Sequence, residues 1–215
     1  MVMFHPEKQN FAYFAIVLLL LSTAAIAESD SSLRQGPGDP VAGYSKAELC
    51  FGCHAEDGNS STPQIPKLAG QYGLYISKQL RNYLDGTRSH RIMNDLAFTV
   101  NDEDIADIAA YFASLPIMKG KTGVENKLGR TLYESGDLSR MVVRCGNCHG
   151  ATGKGVEDNP ADPVIGGQHK AYLLNQLKEF KNGTRNNSAG GFMNTTVSRL
   201  TDSELEALAD YISGM

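Results

Sequence analysis

The chain is written twice, and no other feature constrains its fold as tightly. Ile65-Pro66-Lys67-Leu68-Ala69-Gly70-Gln71-Tyr72 reads against Asp162-Pro163-Val164-Ile165-Gly166-Gly167-Gln168-His169 at an offset of 97 residues. The same offset pairs Tyr75 with Tyr172, Gln79 with Gln176, Leu80 with Leu177, Gly86 with Gly183 and Arg88 with Arg185. Past a three-residue insertion the offset becomes 100, pairing Met93-Asn94 with Met193-Asn194, Asp102 with Asp202, Ala109 with Ala209 and Tyr111 with Tyr211. Small, consistent shifts between matched blocks mean two copies of one domain that differ in their loops.

Each copy reads as helical. In the first, residues 74–84 follow a glycine and stop at Asp85-Gly86, glycine being a natural helix terminator. Asn101 is a good N-cap, Ile105, Ile108, Ala109 and Phe112 fall at helical spacing behind it, and Pro116 closes that helix. In the second, Thr201 and Glu204 form a capping box ahead of Leu205, Leu208, Ala209 and Ile212. Strand-like alternation is hard to find. The expected fold class is therefore all-α, with copies over residues 28–117 and 128–215 and a linker at 118–127 containing Gly120 and Gly123. A copy of some ninety residues has little core of its own, and a large buried cofactor would complete it.

The first 27 residues stand apart. A short polar stretch with Lys8 precedes an unbroken apolar run over 11–21, and Ala25-Ile26-Ala27 ends the segment ahead of Glu28. That order predicts a secretory signal peptide over 1–27 and hence an exported protein. The alternative is an uncleaved anchor, which would give membrane association, although the 17 residues 11–27 are at the short limit for a span. The formal charge of −4, with no basic run, argues against a nucleic-acid partner. Residues 28–118 hold 7 Lys/Arg and 12 Asp/Glu, residues 119–215 hold 12 and 11. The halves thus differ in sign, −5 against +1, a dipole suited to orienting the molecule on a partner or else ordinary surface variation.

Both copies carry Cys-x-x-Cys-His, as Cys50-Phe51-Gly52-Cys53-His54 and as Cys145-Gly146-Asn147-Cys148-His149. Two thiols at this spacing, followed at once by an imidazole, form the attachment site of c-type haem: the sulfurs make thioethers and the histidine reaches the iron. The predicted cofactors are two covalently bound haem c groups, with Cys50, Cys53, Cys145 and Cys148 as attachment points and His54 and His149 as axial ligands. A zinc site, disulfides or thioredoxin-type redox pairs are the rival readings. The two Cys-x-x-Cys pairs lie in separate copies, against one zinc site, and neither disulfides nor redox pairs explain a histidine in the same place twice.

The sixth ligand is narrowed by the repeat. After residue 27 the methionines are Met93, Met118, Met141, Met193 and Met215. Only Met93 and Met193 are equivalent, each followed by asparagine and each expected in a loop between two helices. They are the predicted distal ligands, against the plainer reading of two matched core methionines. His90 is three residues from Met93 and is the competitor there; His169 aligns with Tyr72 and has no counterpart. The Pro66 and Pro163 carbonyls are candidate acceptors for the ring N–H of the ligating histidines. Arg88 and Arg185 are candidates for pairing with haem propionates, or are solvated charges behind a helix.

Over residues 40–215 the sequence resembles cytochrome c4, a dihaem branch of the class I cytochromes c. The resemblance rests on the paired Cys-x-x-Cys-His motifs, the segments at 66–71 and 163–168, and Met93 and Met193 before each last helix. It implies two tandem class I cytochrome c domains, pseudo-twofold related, with the haems near each other. It further implies a periplasmic carrier, not an enzyme, passing single electrons from a quinol-oxidising complex to a terminal oxidase. Two departures stand out: Ala55 follows the first motif where Gly150 follows the second, and the segment before Cys50 is shorter than residues 129–144. A dihaem peroxidase, a thiosulfate-oxidising cytochrome, and a dihaem subunit fixed in a membrane complex are the other readings.

Overall fold

The computed structural model describes residues 34–120 and 125–215, besides Met1 and Met3. The expected signal segment, apart from those two residues, and linker positions 121–124 lie outside the described residues. Among the described residues there are ten α-helices and no strand, only an isolated antiparallel bridge between Asp137 and Val142. None of these helices is long and apolar enough to cross a membrane.

The first copy comprises α1 (Pro40–Lys46), α2 (Glu48–His54), α3 (Gly73–Leu84), α4 (Arg91–Ala97) and α5 (Asp102–Ser114). The second comprises α6 (Lys127–Glu134), α7 (Gly146–His149), α8 (Lys170–Asn182), α9 (Phe192–Val197) and α10 (Asp202–Ser213). In each, the first and last helices cross (α1 on α5, α6 on α10), and the long middle helix packs on the last. The crossings are close because glycine sits at both. A Cβ on Gly43 would lie 2.0 Å from the Asp107 carbonyl oxygen, and one on Gly129 2.1 Å from that of Ala207. The opening helix of the first copy is thus intact. The length difference noted in the sequence is an added loop in the second copy, residues 135–144.

Helix boundaries follow local chemistry. Asp39 caps α1 by accepting from the Val41 and Ala42 N–H groups, with proline at the next position. Asn101 accepts from Asp104 N–H at 2.9 Å, and Asp102, Glu103 and Asp104 place negative charge at the positive end of α5. Pro116 forces Leu115 into extended backbone (φ −71°, ψ 155°), so α5 ends at Ser114. The α10 capping box is complete: Thr201 accepts from Glu204 N–H, and the Glu204 carboxylate accepts from Thr201 N–H.

Two sets of contacts between the copies occur twice with the roles exchanged. Lys67 N–H donates to Gln168 Oε1 at 2.9 Å, and Val164 N–H donates to Gln71 Oε1 at 2.8 Å. Arg88 donates to Tyr172 Oη and Gln176 Oε1, and Arg185 to Tyr75 Oη and Gln79 Oε1. Exchange of this kind is what a pseudo-twofold axis produces. Ala69, Tyr72, Met118 and Val164 form an apolar cluster of their own at this junction.

Candidate haem sites

The two attachment motifs adopt the same local geometry. His54 is the last residue of α2 and His149 the last of α7, and each is 7% exposed. Their Nδ1 atoms lie 2.9 Å from the Pro66 and Pro163 carbonyl oxygens, the acceptors expected from the sequence. A carbonyl only accepts, so both rings hold their proton on Nδ1 and present Nε2 as the unprotonated nitrogen. Burial is the main cause holding both imidazoles below the usual histidine pKa, partly offset by the proline carbonyls. Each ring is thus a neutral, oriented metal donor.

None of the four cysteines is in a disulfide. Cys50 and Cys145 pack against the apolar clusters of their copies, and Cys53 is exposed. Burial raises the Cys50 and Cys148 thiols and pushes Cys145 up to about 11. A redox-active thioredoxin-type pair needs the opposite shift, so that reading loses its physical basis. No cluster of His, Cys, Asp or Glu among the described residues is arranged to hold a metal ion by itself. A donor set of one oriented imidazole beside two thiols, over a half-buried apolar lining, fits a covalently attached haem.

Met93 and Met193 are both half-buried, and Met193 packs against the cluster that also contacts Cys145. The loop expectation for both methionines is corrected: Met93 lies within α4 and Met193 within α9. These helices are too short for a periodic pattern to reveal them. The backbone N–H of Met93 is taken by His90 Nδ1 at 3.4 Å, and that of Met193 by Ser188 Oγ at 3.2 Å. Met118 is buried at the junction of the copies, and Met141 is exposed in the added loop.

Sequence reasoning passed over the next residue in each copy. The Asn94 side-chain amide donates to the Tyr83 and Arg88 carbonyls, and that of Asn194 to the Phe180 and Arg185 carbonyls. Each asparagine thereby ties the methionine-bearing helix to the end of the preceding long helix. The repeated Met-Asn pair was the available signal. The solvated-charge reading of Arg88 and Arg185 is also corrected. They are 6% and 5% exposed, and neither is ion-paired among the described residues. Two buried cations lacking a counter-charge are suited to an anionic group between the copies. His169 is likewise at the junction, its Nε2–H donating to the Ser60 carbonyl at 2.7 Å.

The cytochrome c family model matches this chain twice, over residues 42–116 and 127–215. Cytochrome c4 of Pseudomonas aeruginosa is 36% identical over 187 residues, covering 86% of this chain and 92% of that protein. The chain belongs to the cytochrome c4 family. The crystal structure of reduced recombinant cytochrome c4 from Pseudomonas stutzeri superposes with a TM-score of 0.79 at 35% identity, covering 83% of this chain and 100% of that one. A thiosulfate dehydrogenase electron acceptor of Thiomonas intermedia (strain K12) is 30% identical over 195 residues, covering 88% of each chain. As a cytochrome c4, the protein is a dihaem electron-transfer protein with covalently bound haem c.

Proposed function

We propose that this chain is a periplasmic carrier that passes single electrons from a quinol-oxidising complex to a terminal oxidase and transforms no bound substrate. The observation that carries the reading is the duplication of one donor arrangement, a neutral histidine with its Nδ1–H on a proline carbonyl beside two thiols. In this reading Cys50 and Cys53 hold one haem, whose iron takes His54 and Met93. Cys145 and Cys148 hold the other, with His149 and Met193. When bound, each haem supplies a one-electron iron couple. The chain's part is to fix both axial donors so that no position stays open for a small ligand, which favours transfer over ligand chemistry. Arg88 and Arg185 supply buried positive charge for the haem propionates. Residues 1–27 act as the export signal.

The ligand assignment is tested by Met93→Ala. The variant should keep both haems covalently attached while the potential of one falls and its reduced iron binds carbon monoxide. Potentiometric titration and carbon monoxide difference spectra read both effects. Unchanged potentials would remove Met93 from the assignment. Rapid carbon monoxide binding by the unmodified protein would instead favour an enzyme with an open iron.

A second donor is favoured by the likeness to thiosulfate dehydrogenase electron acceptors. In that reading electrons enter from a thiosulfate-oxidising enzyme. Mixing the ferric protein with such an enzyme and thiosulfate, and separately with a quinol-oxidising complex and quinol, decides the donor by which pair reduces it faster.

A further inference from the structure

Gln71 and Gln168 are 4% exposed, stand in the same place in the repeat, and have no part in haem attachment. Their partners are specific. Gln168 Oε1 accepts from Lys67 N–H at 2.9 Å, and its Nε2 donates to the Lys67 carbonyl at 2.9 Å. Gln71 does the same across the junction, with Val164 N–H and the Val164 carbonyl, both at 2.8 Å. Each Oε1 also accepts an N–H of its own copy, from His169 at 2.9 Å or Tyr72 at 3.2 Å. With donors on one side and a carbonyl on the other, each amide has one orientation that satisfies its partners.

The Lys67 N–H belongs to the same peptide group as the Pro66 carbonyl, the acceptor for His54 Nδ1–H. Likewise the Val164 N–H shares its peptide with the Pro163 carbonyl, the acceptor for His149 Nδ1–H. Two continuous chains result. One runs from the His54 ring through the Pro66–Lys67 peptide to Gln168 of the other copy. The second runs from the His149 ring through the Pro163–Val164 peptide to Gln71.

We propose that Gln71 and Gln168 are positioning residues that tune the axial histidine of the opposite copy through these shared peptide groups. The peptide is a conjugated unit, so an acceptor at its N–H draws charge onto its carbonyl oxygen. Hydrogen bonds in a chain strengthen one another in this way. A stronger acceptor at Nδ1–H makes the ligating nitrogen a better donor, which favours ferric iron and lowers the potential. Each glutamine therefore acts mainly on the haem of the other copy. The proposal rests on His54 and His149 being the iron ligands.

The full-length holoprotein carrying Gln168→Leu, and separately Gln71→Leu, provides the test. Potentials are assigned to each haem by NMR during redox titration. Gln168→Leu should raise the potential of the haem at His54 more than that at His149, and Gln71→Leu should do the reverse. In the ferric state the His54 Nδ1–H resonance should move in Gln168→Leu and exchange faster with solvent. A glutamine that only holds the copies together would shift both haems alike in both variants, and that result overturns the proposal, as does an unchanged pair of potentials. Should leucine prevent folding, Gln168→Met removes the same acceptor with a flexible side chain of similar length and carries the same expectations. If His54 is not an iron ligand, its ring proton lacks a paramagnetic shift in the unmodified ferric protein, so that failure is distinguished before any glutamine is changed.

Discussion

Ala55 and Gly150 follow the two axial histidines, and both take a backbone conformation that side chains resist. Ala55 has φ 63° and ψ 157°, Gly150 φ 77° and ψ 156°. This region is essentially reserved for glycine, and holding another residue there costs about 1–3 kcal/mol. Ala55→Gly should therefore stabilise the first copy by about 1 kcal/mol, after allowing for the freer unfolded chain of glycine. Thermal unfolding of the holoprotein checks this. Gly150→Ala should do the opposite, because its Cβ would also lie 2.3 Å from the Gly155 carbonyl oxygen. The sequence exposed the Ala/Gly difference, whereas the strain at Ala55 became visible only with the dihedral angles.

At the scale of elements, one carboxylate joins the second copy's added loop to its last helix. Glu204 completes the α10 cap and also accepts from both terminal nitrogens of Arg140, at 2.7 and 3.2 Å. The Arg140 hydrogen bond is the largest cause holding the Glu204 carboxyl down to about 2 from its ordinary 4.5. A depressed folded value means the contribution is complete above about 4.5 and is lost as pH falls toward 2. The second copy should weaken over that window. Glu204→Gln should lose about 1–2 kcal/mol at neutral pH and show less acid dependence, as read by urea unfolding at pH 7 and pH 3. The capping box was legible from Thr201 and Glu204 alone. Its link to Arg140, 64 residues away, was not, because ion pairs between distant segments leave no periodic trace. The same holds for Gly43 and Gly129, whose role depends on a helix brought against them.

For the whole molecule, the polar junction between the copies is centred on buried arginines. Arg185 donates to Asn187 Oδ1, Gln176 Oε1, Tyr75 Oη and Gln79 Oε1. Arg185→Leu would take a donor from Asn187 Oδ1 and Tyr75 Oη, while Gln176 and Gln79 keep Arg88, at a cost on the order of 2–3 kcal/mol. Calorimetry should then show the single unfolding transition separating into two, one for each copy. The sequence by itself determined the duplication, the helical class, the two attachment motifs, the bounds of α3 and α5 and the start of α10. Those features are written in residue type and spacing within one copy, where local chemistry acts. Tertiary structure decided what joins the copies: the burial of Arg88 and Arg185, the glutamine clamps on opposite proline peptides, and the apolar seat of Met118. Such contacts join residues about 50 to 110 positions apart, and only the folded packing selects which of many polar side chains meet.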